Sequence, residues 1–277
     1  MSGRRAALAA LCLGALLISN AHSSPQPVWD FGFGIGAVAF NDYRGASAMH
    51  VYPVPVPYFI YRGNFLRADR EGVHGRFNWP HLEIDLSANA TAPVFSRHSA
   101  PRAGMPNLAS TIEFGPSLTW HIWRSDDRRL RFDLRTPIRN VVTIDSPPRS
   151  IGWLFSPTAS VDYAGRGKAA GWNFGLLTGP LYAQRRYNEY FYAVAPRFAT
   201  PTRPAYEPPG GYGGTQLLVS ASKRFRDYWF GAYLRHDWLQ GAVFAPSPLV
   251  QQRSYWSGGF GFAWMIRSST RTVDRDE

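Results

Sequence analysis

Asp126-Asp127 and His236-Asp237 are the residues whose types and pairing come nearest to hydrolytic chemistry in this chain. A carboxylate pair facing a His–Asp pair can hold and deprotonate a water, provided that all four side chains meet at one rim. Each pair also has a plainer reading. Ser125-Asp126-Asp127 is good turn chemistry, and Asp237 can be one more polar charge near Arg235. Gly-x-Ser-x-Gly is absent after residue 22, and His-Glu-x-x-His is absent throughout. His50, His74, His81, His98 and His121 lack metal-ligand spacing with acidic partners and read as solvated polar positions. Arg185-Arg186 and Arg128-Arg129-Leu130-Arg131 suit bidentate contact with lipid or lipopolysaccharide phosphates, though solvated charge at a membrane rim is the simpler reading. No residue is therefore assigned a catalytic, cofactor-binding or metal-ligating role, and no cofactor is expected.

What could position such residues is bounded by composition. The chain has 277 residues, 30 basic against 19 acidic side chains, 26 Gly, 22 Pro, 15% aromatic residues and one Cys. Low charge with many aromatics argues against disorder, because such a chain has much apolar surface to hide. One Cys excludes a disulfide framework. Only Lys168 and Lys223 are lysines, so the positive charge is nearly all Arg and is spread out rather than clustered as a nucleic-acid footprint. Met1 to Arg5 is a short basic start, Ala6 to Ile18 is an unbroken apolar run, and Ser19-Asn20-Ala21 offers small residues before a cleavage point. This is the three-part form of a secretory signal peptide, expected to span 1–21.

The remainder reads as strands. From Ser110 to Trp123, Ile112, Phe114, Leu118, Trp120 and Ile122 share one face, while Glu113, Ser117, Thr119 and His121 share the other. Such alternation marks an extended strand with one apolar and one polar face. Leu130 to Ile138, Ile151 to Tyr163 and Phe260 to Ile266 repeat it. Twelve strands are expected, at 29–40, 52–61, 64–76, 80–90, 110–123, 129–142, 151–163, 171–184, 188–195, 213–225, 227–240 and 253–266, with ten as the alternative count.

The fold class is all-β, and a transmembrane antiparallel β-barrel fits it better than a soluble sandwich. Many runs reach the about 9–11 residues that a tilted strand needs to cross a membrane. The polar faces mix Gly, Ser and Thr with charges of both signs, such as Glu113, Arg131, Asp133 and Arg135, as a polar lumen would. With both ends on the periplasmic side, the connections at 41–51, 124–128, 164–170, 196–212 and 241–252 face outward, and 62–64, 91–109, 145–150 and 226–227 lie inside. In this arrangement Asp126, Asp127 and His236 all fall toward one rim, as in omptin-type outer-membrane proteases. That reading rests on two dipeptides and is the least favoured.

A family resemblance runs over most of the chain. It is carried by Gly32-Phe33-Gly34-Ile35-Gly36, Asn41-Asp42-Tyr43-Arg44-Gly45, the run from Pro55 to Gly63, Phe65-Leu66-Arg67 and Phe114-Gly115-Pro116-Ser117. Tyr190 to Val194, Pro201 to Tyr206, Gly210-Gly211-Tyr212 and Ser247 to Val250 complete it. On these stretches the chain resembles the MipA/OmpV family of MltA-interacting outer-membrane proteins. The resemblance implies an outer-membrane barrel over 22–266 and a non-enzymatic scaffold that joins a lytic transglycosylase to a murein synthase in peptidoglycan remodelling. The polar tail 267–277 departs from the aromatic ending expected of the family. If the scaffold role applies, 91–109 is the expected periplasmic contact surface. A small-solute channel or carrier is the alternative function. Outer-membrane lipid and lipopolysaccharide are expected surroundings, and nucleic acid is not.

Overall fold

The computed structural model describes residues 26–62, 66–69, 72–79 and 82–273. The export segment expected at 1–21 lies outside the described residues, as do residues 274–277. The strands are β1 (Gln26–Pro27), β2 (Trp29–Asn41), β3 (Met49–Arg62), β4 (Leu66–Asp69), β5 (Gly72–Trp79), β6 (Leu82–Thr91), β7 (Thr111–Arg124) and β8 (Leu130–Thr143). They continue with β9 (Ser150–Phe155), β10 (Thr158–Ala164), β11 (Trp172–Ala183), β12 (Gly211–Arg224), β13 (Tyr228–Trp238), β14 (Ser254–Ser268) and β15 (Thr272–Val273). Among the described residues one α-helix, α1 (Arg185–Tyr192), lies between β11 and β12.

All strand pairings are antiparallel and most join neighbours in sequence, and β14 pairs with β2 from Gly258↔Ala39 to Ser268↔Asp30. β9 and β10 form one line broken at Ser156-Pro157, and both β8 and β11 pair with both pieces. A proline supplies no N–H to a ladder, which accounts for the break. β1 pairs with β15, which ties down the polar stretch from Arg267 to Val273: β14 runs on to Ser268, and Thr272 and Val273 then pair with Pro27 and Gln26.

The burial of the sheet is inverted relative to a soluble protein. Phe33 and Ile35 of β2, Phe114 and Ile122 of β7, and Phe260 and Ile266 of β14 are exposed, Ile35 by 63%. The alternate residues point inward and carry the charge: Asp85, Glu113, Asp133 and Asp237 are each at most 4% exposed. Water favours the opposite arrangement, since burying a carboxylate costs several kcal/mol while exposed large apolar side chains gain nothing from it. A sheet with this burial needs an apolar solvent on its outer face.

Two differences from the sequence expectation decide which loops share an end. The segment read as one strand at 64–76 is two, β4 and β5, with Asp69 paired to Gly72 across a two-residue link. The segment read as a strand at 188–195 is α1. There Tyr187 and Phe191, and Asn188 and Tyr192, are buried four residues apart, the spacing of a helix face. Each difference shifts the up–down parity by one, so the strands from β6 to β11 run opposite to the expected sense. The connections 42–48, 92–110, 144–149, 184–210 and 239–253 therefore lie at one end. The turns 125–129, 165–171 and 225–227 lie at the other, together with both described termini. The expected inner position of 91–109, and the outer positions of 124–128 and 164–170, are corrected accordingly. So is 145–150, which was expected inside.

Candidate functional site: a charged lumen under a packed cap

The inward faces of β6, β7, β8 and β10 place opposite charges side by side. The register sets Glu83 opposite Thr119 and Thr119 opposite Arg135, so three strands bring acid, hydroxyl and base onto one level. Arg135 Nη2 lies 3.4 Å from Asp85 Oδ2, and the Thr119 hydroxyl donates to the same carboxylate at 3.1 Å. Arg139 Nε lies 3.2 Å from Glu113 Oε2. Arg131 lies between Asp133 at 2.7 Å and Asp162 at 3.0 Å. His121 lies between Asp133 at 2.9 Å and Glu83 at 3.4 Å. It is thus not the solvated histidine expected, and His50 too meets a carboxylate, Asp42, at 3.0 Å. The inward-facing cations keep part of their surface exposed: Arg131 is 23% and Arg235 27% exposed at the side chain. Each of these charges meets a partner of opposite sign and keeps some access to solvent, which lowers the cost of placing it there.

At the end away from the termini the long connections fold together into a cap. Arg44, on 42–48, reaches Asp237 of β13 at 2.8 Å and donates to the Gly213 carbonyl at 2.7 Å. Arg235 Nε approaches the other oxygen of Asp237, also at 2.8 Å. The Tyr192 hydroxyl donates to the Arg44 carbonyl, and the Tyr43 hydroxyl donates to the Leu249 carbonyl. Arg102, on 92–110, donates to the Phe191 carbonyl of α1 at 3.0 Å. Arg203 donates back to the Pro101 and Ala103 carbonyls. Around these bonds packs an apolar core that includes Val94, Leu108, Leu239 and Leu249, with the Tyr192 and Phe244 rings stacked at 3.8 Å. Cap and wall share this core, because Val141, Leu154 and Leu181 enter it from the strands.

Four of the nine stretches that carried the family resemblance converge here. Asn41 to Gly45, Tyr190 to Val194, Pro201 to Tyr206 and Ser247 to Val250 meet at the cap, where each touches at least one other. Arg44, Arg102 and Arg203 were not singled out by composition or periodicity. Two of the three sat inside those stretches, which was the available signal.

The two dipeptide pairs do not meet. Asp126-Asp127 lies in the turn at the terminus end, where Asp127 accepts from the Ser125 hydroxyl at 2.7 Å and from the Arg129 backbone. These bonds hold its carboxyl below the usual carboxylate range. His236-Asp237 lies near the cap, with His236 against Ser254 at 2.9 Å and Asp237 clamped by two arginines. Strands of 14 residues separate the two ends, roughly 46 Å along the strand before tilt. One water cannot serve both pairs, so the protease geometry is absent. Arg185 is likewise taken up by Glu189 and Glu207, and Arg131 is taken up by Asp133 and Asp162 on the inward face of the sheet.

A model of the family described as "MltA-interacting protein MipA" matches residues 33–266. The chain belongs to the MipA family. Membership places it among outer-membrane proteins, in agreement with the inverted burial of its sheet. No curated protein matches the chain. Among solved structures, this MipA-family chain is similar to the COG4313 outer membrane channel from Pseudomonas putida F1, with 12% identity, a TM-score of 0.48, and coverage of 90% of this chain and 100% of that one. It is also similar to the CymD monoaromatic hydrocarbon channel, at 10% identity, TM-score 0.36, and 94% and 99% coverage. A third is the Ralstonia pickettii toluene transporter TbuX, at 10% identity, TM-score 0.25, and 96% and 80% coverage.

The cap of this MipA-family chain predicts an alkaline limit. Burial pushes the Tyr43 hydroxyl up to about 12, and burial also raises Tyr187 and Tyr192 of α1. A group that binds its proton more tightly when folded adds stability fully below its unfolded pKa, near 10, and loses it as pH rises through the folded value. The cap should therefore hold to about pH 10 and release above about pH 12. Absorbance titration of the phenolates in detergent, read beside tryptophan emission, checks this. Complete phenolate formation near pH 10 would contradict the packing.

Proposed function

We propose that the protein is a closed transmembrane β-barrel of twelve strands, counting β9 and β10 as one, and that it passes or carries small solutes across the outer membrane. What supports closure is the run of pairings from β2 round to β14 and back to β2. What supports passage is the lumen: charged and polar side chains that stay partly open to water, behind an exterior of Phe, Ile and Trp. A barrel of this size encloses less space than a 16-stranded porin, so the cargo is small. The export segment at 1–21 fits the same destination.

Swelling of proteoliposomes tests the reading. Vesicles holding the purified protein should admit small amphiphilic solutes such as phenylalanine and exclude oligosaccharides. Vesicles no more permeable than protein-free controls would overturn it.

The family description names an interaction with MltA, which supports a second reading, a scaffold for a lytic transglycosylase and a murein synthase. With the termini on the periplasmic side, its surface would be the turns 125–129, 165–171 and 225–227, which present Arg128, Arg166, Lys168 and Arg226, all exposed. Residues 92–110 lie at the other end. Pull-down of the transglycosylase should fail when these four are changed to Gln; undiminished recovery would remove that surface from consideration.

A further inference from the structure

We propose that the wall is open between β3 and β6 on the half nearer the cap, and that this notch is a lateral port for apolar and amphiphilic small molecules dissolved in the outer leaflet. The inference rests on the solute-passing reading and says where the solute enters.

The cap makes the question necessary. Its apolar core, with Leu239 and Leu249 at 0% exposure, is where the connections 42–48, 92–110, 184–210 and 239–253 meet at that end. A molecule that reaches the polar lumen from outside must pass the cap or the wall.

The wall is weakest at β3. Pro53, Pro55 and Pro57 face Ala37, Ile35 and Phe33 of β2 in unbroken register. In an antiparallel ladder, alternate facing residues exchange two N–H···O bonds, and a proline cannot take part in such an exchange. The three prolines must therefore occupy the non-bonded positions, with their ring nitrogens turned to the opposite edge. That edge lacks three successive N–H donors, so no neighbouring strand can form a continuous ladder along it.

The pairings agree. β4 meets β3 at Tyr61↔Ala68 and Arg62↔Arg67, near the terminus end. β4 and β5 then turn back on each other through Asp69↔Gly72, and the pairing of β5 with β6 on the cap side stops at Val73↔Leu86. Among the described residues, no strand pairs with 49–60 of β3 on the proline edge. A four-residue strand spans roughly 13 Å, against roughly 46 Å for the 14 residues of β3. The short hairpin thus fills the wall only near the terminus end.

The lumen beside the notch also differs from the rest. Val56 and Tyr58 point inward from β3 and pack against Trp229 and Ala263, an apolar and aromatic patch in an otherwise charged interior. Bare backbone carbonyls are costly in hydrocarbon and tolerated where they line a water-containing cavity. A port with carbonyls at its lip and an aromatic floor suits a guest with an apolar body and a hydroxyl or amine donor.

The test uses single thiols in a Cys12→Ser background, since Cys12 is the chain's one cysteine. Val56→Cys places a thiol on the lumen side of the notch, and Ser220→Cys places one on the lumen side of β12, which is paired along both edges. Each full-length variant in lipid vesicles is treated with a maleimide tethered to a phospholipid acyl chain and, separately, with a charged water-soluble thiosulfonate. The ratio of tethered to soluble labelling should be about tenfold higher at Val56→Cys, because a continuous wall screens the lumen from lipid. Equal ratios overturn the port. If Val56→Cys does not assemble, Val54→Cys on the same inward face replaces it. The labelling does not depend on transport. A high ratio without vesicle swelling keeps the opening and removes the solute-passing reading. Swelling with equal ratios leaves an axial route and removes the port.

Discussion

Replacing residues 185–209 with a short turn is expected to convert the protein into a freely conducting pore. That segment contributes α1, including Tyr192, and Arg203, which ties 184–210 to 92–110 through the Pro101 and Ala103 carbonyls. Without it the stacked partner of Phe244 is gone, Arg102 loses the Phe191 carbonyl, and the apolar core across the lumen loses its centre. The strands keep their pairings, because β11 and β12 face each other from Trp172↔Lys223 to Ala183↔Gly211 without help from the connection. In planar bilayers the variant should show stable steps about tenfold larger than those of the native chain, as a polar-lined lumen loses its obstruction. Unheated gel mobility would show that the barrel itself assembled. Steps of native size from an assembled variant would mean that the cap does not obstruct the lumen.

Asp237→Ala is expected to be the most damaging single substitution. Asp237 is 1% exposed, and both Arg44 and Arg235 approach it at 2.8 Å. Removing the carboxylate leaves two partly buried cations, Arg44 and Arg235, facing each other and frees the arm that joins 42–48 to β13. Loss of one partner from a buried ion pair costs about 3–5 kcal/mol. The cost shows as a lower urea midpoint for loss of the fast-migrating folded band. Asp237→Asn keeps an acceptor for one arginine and should fall between the two. A change in stability below about 0.5 kcal/mol for Asp237→Ala would mean that the triad is exposed to water, as surface pairs are.

Much of the architecture was legible in the chain. The two-residue period of Ile112 to Ile122, and of Leu130 to Ile138, located β7 and β8 to within about a residue and assigned their inner and outer faces. What failed was parity. Aromatic residues favour strands, and the eight residues of α1 are rich in them, so Tyr190 and Tyr192 looked like wall rather than cap. A four-residue strand such as β4 is too short for alternation to reveal its ends. The two errors cancelled in the count and exchanged inside for outside in between, which is why 91–109 appeared periplasmic. The cap's arginines were illegible for a different reason. Arg44, Arg102 and Arg203 bond mainly to backbone carbonyls and to a carboxylate far along the chain, and no local pattern encodes such contacts. The proline edge of β3, by contrast, was written plainly at positions 53, 55 and 57, and its meaning required only the register.

An apolar face in the outer membrane with the charges inside requires a sheet closed into a barrel. Gel electrophoresis of the outer-membrane fraction, with and without heating, tests this closure. A closed barrel resists detergent until heated, so the unheated protein should be found in that fraction and migrate faster than the boiled one. Recovery in the soluble fraction, with no difference between heated and unheated samples, would rule the barrel out.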